Sequence, residues 1–204
     1  MRAVAGPGNL TTPGELDRHL ALLSRLAESA IASTVTLILR APDSIPAKAL
    51  IDRKDELARA GVTAKAILAK LEPETELRQL YAVLSSLSPH EPATMLIRYA
   101  RNPRLHDAHE QTTYGDSMCW SGDAMRRDAD KRNSLSLFHE DDPDRTLLAC
   151  HSFAALWMAA TPVPARHLSG DIAHRPLGEY ERPPNTPVAI APFPGPQGWP
   201  LIRH

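Results

Sequence analysis

The sequence predicts an α/β protein: a domain over residues 1–160, with a mixed, mostly parallel sheet between helices, followed by an irregular proline-rich, extended tail over residues 161–204. Helical and strand patterns alternate through the first half of the chain, and this order is typical of crossover units in a largely parallel sheet. Of the 204 residues, 43% are hydrophobic and 23% are charged, which is ordinary for a globular protein. Ten of the 19 prolines lie between residues 162 and 200, where no periodic element is recognisable.

Periodicity and capping residues define the elements of the first half. Thr12 and Glu15 form a capping-box pattern, and Pro13 occupies the position preferred at the start of a helix. The helix that follows is expected to bury Leu16, Leu20, Leu23, Ala27, Ala30 and Ile31. Strands are expected at residues 34–39, 62–68 and 95–97, and helices at residues 47–60 and 74–88. Gly61 stands where a left-handed helix cap is expected.

The second half changes character. Two extended runs are expected on either side of Gly115 and Asp116, followed by a short helix at residues 123–131 and a strand at residues 134–138. Pro143 is expected to open the last helix. The buried stripe of that helix is expected to comprise Leu147, Leu148, Phe153, Leu156 and Trp157.

Charge and cysteine content exclude several classes of protein. The formal net charge is −1, which favours neither nucleic acid nor an anionic membrane as a partner. Cys119 and Cys150 are too few for a disulfide framework and are expected to be reduced thiols. No stretch reaches the roughly 20 apolar residues of a membrane span, and the amino terminus has no secretory pattern. The expected compartment is the cytoplasm.

Residues 105–133 concentrate the side chains that carry chemistry. His106 and His109 suggest a metal pair, since this spacing places two imidazoles on one face of a helix. Thr112 and Thr113 favour an extended chain instead, in which positions 106 and 109 point to opposite faces. The order of histidines and glutamate also differs from that of zinc proteases, so no metal site is predicted.

His109, Gln111 and Asp116 form an H-x-Q-x4-D pattern. Gly122 follows at the position of a glycine–serine turn, and Asn133 lies in a later segment. This arrangement resembles the phospholipase D-like superfamily, whose signature is H-x-K-x4-D followed by glycine–serine and asparagine. The resemblance covers roughly residues 14–160 through the order of elements. If His106 is taken as the motif histidine instead, the match is poorer.

The resemblance implies a single copy of a motif that active members use in two copies, and hence a homodimer meeting across residues 105–133. In such a dimer His109 would be the nucleophile, with its dimer mate as the general acid, and Asp116 would orient each histidine. Gln111, Ser121 and Asn133 would hold the phosphate, and no metal or organic cofactor is implied.

Departures from the motif favour a degenerate site. Gln111 replaces the lysine that would anchor a phosphate oxygen, and a charged donor is roughly twice as strong as an amide. Asp123 replaces the serine and places a negative charge beside an anionic substrate. We therefore expect phosphate-ester binding or a structural role rather than catalysis.

Three alternatives remain open on the sequence. In the first, the protein is a phosphodiester hydrolase or transferase that acts as a homodimer through His109. In the second, it is an interaction protein that uses its proline-rich tail. In the third, the role is structural, and His109 and Asp116 are an ordinary hydrogen-bonded pair at a strand end.

The basic cluster at Arg126, Arg127, Lys131 and Arg132 is expected to be a solvated helix face, with an anion pocket beside Asn133 as its alternative.

Overall fold

The computed structural model describes residues 14–29, 33–71, 77–126 and 135–168, which form helices packed on both faces of one mixed sheet. The helices in these ranges are α1 (Glu15–Glu28), α2 (Ile45–Asp52), α3 (Lys54–Arg59), α4 (Arg78–Leu87) and α5 (Pro143–Ala159). The strands are β1 (Thr34–Leu39), β2 (Thr63–Leu68), β3 (Ile97–Tyr99), β4 (His109–Tyr114), β5 (Met118–Ala124), β6 (Leu137–His139) and β7 (Thr161–Pro162).

The seven strands lie in the order β6-β5-β4-β1-β2-β3-β7. β1 pairs in parallel with β2, and β2 in parallel with β3, as the alternating pattern predicts. The other four pairings are antiparallel, so the expectation of a mostly parallel sheet is wrong. The reason is the hairpin of β4 and β5: β4 runs against β1, and Gly115 makes the turn into β5 at φ 72°, which glycine adopts without strain.

Alternating side chains of the sheet contribute to two cores. Val35, Leu37 and Leu39 of β1 face the main core, to which α1, α2, α3 and α4 contribute. Ile38 faces the opposite side, where α5 packs with Phe153 and Trp157. This period-two alternation places neighbouring residues of each central strand in different environments.

The first helix buries a stripe that agrees only in part with the one predicted: Leu23 is buried, and Leu20 and Ala27 are partly buried against the core. It begins at Glu15, and the Asp17 carboxylate accepts a hydrogen bond from the Gly14 amide at 3.1 Å. Thr12, Pro13, Ala30 and Ile31 lie outside the described residues. Leu16 is 37% exposed, whereas His19 is fully buried. The buried residues are His19, Leu22, Leu23 and Leu26. The polar side chain of His19 occupies this core position because its ring forms a hydrogen bond with the Tyr114 hydroxyl.

Most remaining elements of the first half are found near their predicted positions. The helix predicted at residues 47–60 is divided at Arg53 into α2 and α3. Gly61 follows α3 with φ 70°, the left-handed conformation expected of a cap. β3 begins at Ile97 because Ala93–Met95 forms a 3₁₀ turn.

The second half contains the predicted hairpin, but two other expectations need correction. Asp123 lies in β5 and not in a helix; residues 127–134 are outside the described ranges.

α5 begins at Pro143 as expected, and the Asp142 carboxylate caps it by accepting from the Arg145 amide at 3.1 Å. Its buried residues are Thr146, Ala149, Phe153 and Trp157. The predicted core residues Leu147 and Leu148 are instead 56% and 67% exposed.

Residues 161–168, which composition assigned to the tail, lie against the sheet. Thr161 and Pro162 form β7, which pairs with β3, and the side chains of Val163 and Leu168 are buried. The rest of the predicted tail, residues 169–204, lies outside the described residues. Among the residues that are described, no helix combines the length and the apolar character needed to cross a bilayer.

Candidate functional site

His109 stands at the start of β4 with its side chain exposed. Because β4 is antiparallel to β1, this end of β4 lies at the edge where β1, β2 and β3 end. The carboxyl end of a parallel group of strands is the usual location of ligand sites in α/β sheets. The histidine of the motif therefore occupies an accessible position at a favourable edge.

A backbone carbonyl fixes the orientation of this imidazole. Nδ1 of His109 lies 2.8 Å from the carbonyl oxygen of Gly122 on the neighbouring strand. A carbonyl oxygen only accepts hydrogen bonds, so Nδ1 carries the proton and donates it. In the neutral ring, Nε2 is then the nitrogen with the free lone pair, as a nucleophile or an acceptor requires.

Two further motif residues, Gln111 and Ser121, form a cross-strand pair between β4 and β5, close to His109. The Gln111 amide nitrogen donates to the carbonyl oxygen of Ala149 in α5 at 2.8 Å. Gln111 therefore attaches the sheet to α5, and its amide is already engaged. The described contact of the Gln111 side chain is therefore a structural one.

Asp116 lies at the opposite end of the hairpin from His109. It is exposed in the turn between β4 and β5, and a six-residue strand separates it from His109. At about 3.3 Å per residue the two lie roughly 20 Å apart within one chain. The carbonyl of Gly122 takes the orienting position expected of Asp116. Asp116 lines instead a cavity of about 420 Å³ with Arg25 and Thr113.

Asn133 and most of the predicted basic cluster fall outside the described residues. Arg126 is described, and its guanidinium lies 2.8 Å from the Asp107 carboxylate. Its backbone amide donates to the carbonyl of His106 at 3.1 Å. Arg126 therefore lies at the same edge of the sheet as His109.

A polar cleft of about 250 Å³ occupies the other face of the same edge. Glu110 lines this cleft, and its carboxylate accepts from the Arg40 amide at 3.0 Å and from the Ser44 hydroxyl at 3.2 Å. The Arg40 guanidinium lies 3.1 Å from the second carboxylate oxygen, and the two side chains are only 12% and 9% exposed. Glu110 thereby joins β4 to the turn that follows β1.

Further carboxylates line this cleft. Glu15 approaches from α1, Asp123 from β5 and Asp43 from the turn after β1. Burial raises the pKa of Glu15, and the nearby Glu110 and Asp123 carboxylates raise it further. Asp123 lines the cleft together with Glu110. The alternation of side chains along β4 directs the neighbouring His109 to the opposite face.

A buried histidine lies behind the cleft. A hydrogen bond joins Nδ1 of His19 to the Tyr114 hydroxyl, and Nε2 lies 3.8 Å from the Glu15 carboxylate. The ring packs against Trp120 and Phe138, with centroids 4.9 Å away in both cases. Burial, reinforced by the positive charge of Arg18, lowers the pKa of His19 to about 4. His19 is therefore neutral at physiological pH.

Sequence reasoning missed the cleft and the buried histidine. Arg40 directly follows a buried strand, and Glu110 occupies the alternate position between His109 and Gln111. Alternation alone predicts that Glu110 faces away from the motif residues. The pairing of β1 with β4, which brings Arg40 and Glu110 together, has no local signal.

The two histidines considered as a metal pair are held by different backbone groups. His106 lies in a 3₁₀ turn that precedes β4, and its Nε2 is 3.1 Å from the carbonyl oxygen of Ala100. Among the described residues, no group of three or more histidine, cysteine or acidic side chains is arranged to hold a metal ion.

Comparisons of the sequence with protein-family models and with curated proteins found no match.

Proposed function

We propose that this protein binds a phosphate ester at the edge of the sheet beside His109, through a degenerate phospholipase D-like site that does not turn the ester over efficiently. The observation that carries the proposal is the imidazole of His109, which is exposed and oriented by the 2.8 Å hydrogen bond to Gly122. An imidazole held in this way presents Nε2 to a ligand either as an acceptor or, when protonated, as a charged donor.

The charges at this edge support an anionic ligand. Lys70 follows β2, and Arg101 and Arg104 follow β3; all three side chains are exposed. Within the described ranges none of the three has an ion-pair partner. Neighbouring strands lie about 4.8 Å apart, so β2 is only about 10 Å from β4, within reach of a lysine side chain. The acidic cleft lies on the opposite face.

The engagement of Gln111 argues against efficient turnover. Phosphoryl transfer requires cationic groups that stabilise the developing negative charge on the phosphate oxygens. The amide of Gln111 is neutral and already donates to Ala149. Asp116 is also too distant to orient His109 within one chain. Binding does not require a cation at position 111, whereas efficient turnover requires cationic stabilisation of the phosphate oxygens.

Binding is tested by NMR titration of the full chain with methyl phosphate and with dimethyl phosphate, which represent a monoester and a diester. The ring resonances of His109 are assigned by their absence in the His109→Asn variant. We expect these resonances to shift as ester is added, with a dissociation constant in the millimolar range. The remaining shifts are expected to disappear in His109→Asn and to persist in His90→Asn, a matched change of an exposed histidine in the turn after α4. Unchanged His109 resonances at saturating phosphate ester would refute the proposal.

Turnover is tested on the same proteins with bis(4-nitrophenyl) phosphate. We expect the wild-type protein to release 4-nitrophenol no faster than His109→Asn does. Release that depends on His109 and rises with the square of protein concentration would favour the alternative of a phosphodiesterase homodimer, in which each chain contributes one histidine. Ester binding without release leaves the binding function as the better description.

A further inference from the structure

α5 has a second apolar face that is exposed. Five large hydrophobic side chains are exposed among the described residues, and three of them belong to this helix. They are Leu147, Leu148 and Met158, exposed by 56%, 67% and 81%. A helix that is apolar on all sides is normally covered on all sides.

The fixed charges of α5 are confined to its first turn, where Asp144 and Arg145 lie. From Thr146 to Ala159 the helix contains no aspartate, glutamate, lysine or arginine. These fourteen residues span about 21 Å at 1.5 Å per residue. A surface of this length without charge is unusual for a solvent-exposed helix.

Four residues form a straight seam along this face. Leu148, His151, Ala155 and Met158 follow one another at intervals of three, four and three residues, the spacing at which helices contact each other in coiled coils. All four are exposed, and the seam lies opposite the buried stripe of Thr146, Ala149, Phe153 and Trp157.

We propose that this seam binds the same seam of a second copy of the chain, with the two α5 helices antiparallel around a two-fold axis. In that register Leu148 packs against Met158 of the second copy, and His151 packs against the small Ala155 of the second copy, each contact occurring twice. A parallel register would instead oppose His151 to itself and leave a gap where Ala155 meets Ala155. Antiparallel helix dipoles also attract.

The order of side chains favours a second copy over an unrelated partner. Large and small residues match when the seam meets itself in reverse, and an uncharged surface does not repel its own copy. A two-fold contact uses one surface twice, so self-complementarity is the property it requires. None of the exposed large hydrophobic residues lies in residues 105–126, the described part of the range over which the resemblance implies a dimer.

The register is tested by exchanging charges across the seam in the full chain. Leu148→Lys alone and Met158→Glu alone are each expected to weaken self-association about 100-fold, because each change introduces two charges into an apolar contact. The double variant Leu148→Lys/Met158→Glu is expected to recover the dimer, since the lysine of one copy faces the glutamate of the other. Within one helix these positions are about 15 Å apart, too far to pair. Sedimentation equilibrium gives the dissociation constants.

Two controls isolate the seam. Leu148→Lys/Met158→Lys carries the same number of substitutions with like charges and is expected to remain monomeric. Leu16→Lys changes an exposed leucine of α1 and is expected to leave the dimer unchanged. A wild-type chain that stays monomeric at high micromolar concentration would overturn the proposal, as would a dimer that tolerates Leu148→Lys. Failure of the double variant to recover would overturn the antiparallel register. None of these outcomes depends on phosphate binding at His109.

Discussion

At Gly122 the hairpin has no space for a side chain. A Cβ atom at this position would lie 2.5 Å from Cη2 of Trp120 and 3.4 Å from Cβ of Glu110. The glycine therefore allows the tryptophan ring to lie flat against β5, where its Nε1 donates to the Ser136 hydroxyl at 2.9 Å. The same residue supplies the carbonyl that orients His109, so packing and the candidate site depend on one backbone position.

Gly122→Ala is expected to lower the free energy of unfolding by about 2 kcal/mol, because the buried indole must move to admit a methyl group. Urea denaturation measures the change. Gly61→Ala is a suitable comparison, since its φ is 70° and no atom lies within 4 Å of the new Cβ. That variant introduces only backbone strain, about 1 kcal/mol. Unchanged stability in Gly122→Ala would show that Trp120 adjusts without cost.

The Arg40–Glu110 pair shows how burial changes the contribution of a salt bridge. Glu110→Ala leaves the Arg40 guanidinium buried without its counter-ion, and we expect a loss of about 3–5 kcal/mol in the free energy of unfolding. Arg25 and Glu140 form a comparison pair at 3.5 Å whose side chains are both about half exposed. Glu140→Ala is expected to cost less than about 1 kcal/mol in the same assay. Similar losses in both variants would indicate that water reaches Arg40 freely.

At the scale of elements, α1 is attached to the sheet through a titratable contact. The neutral ring of His19 is buried among Tyr114, Trp120 and Phe138, and its pKa is lowered from about 6.5 in the unfolded chain to about 4. The unfolded state therefore binds a proton more readily than the folded state does. This contribution to stability is complete above pH 6.5 and is lost as the pH falls towards 4.

From pH 7 to pH 5 we expect His19 to reduce the free energy of unfolding by about 2 kcal/mol. Chemical denaturation at a series of pH values measures this slope. His19→Gln retains a hydrogen-bonding group for Tyr114 but does not titrate, so its stability is expected to be lower at pH 7 and flatter between pH 7 and 5. A wild-type slope unchanged by His19→Gln would place the pH dependence elsewhere.

The elements themselves were largely predictable because their signals are local. β1 and β2 follow from runs of β-branched and apolar residues, and Gly61 ends α3 where a left-handed residue is required. α5 is different: its sequence is apolar on several sides, so periodicity alone could not identify the buried side. Thr146 and Ala149 face the sheet because they are small, and Leu147 and Leu148 remain outside.

At the scale of the whole molecule, the sheet could be predicted only in part. The parallel group β1-β2-β3 follows from alternating elements, but nothing local indicates that β4 returns beside β1. The location of His109 at an exposed edge depends on that pairing, as does the contact of Arg40 with Glu110. Asp116 illustrates an error of a different kind. Both the role of orienting His109 and the alternative of a hydrogen-bonded pair require the two side chains to be close, but the extended β4 places them roughly 20 Å apart within one chain.

The position of β4 beside the central strand β1 has a consequence for the growing polypeptide. Thr34 of β1 pairs with Thr63 only 29 residues later, whereas Thr36 meets Thr113 after a separation of 77 residues. A chain synthesised from its amino terminus therefore completes the β1–β2 ladder while the other edge of β1 is still unpaired. That edge, with the sequence Thr-Val-Thr-Leu-Ile-Leu, is able to pair with other chains until residue 114 has emerged from the ribosome. The strand that carries His109 thus also closes an aggregation-prone edge of the nascent protein.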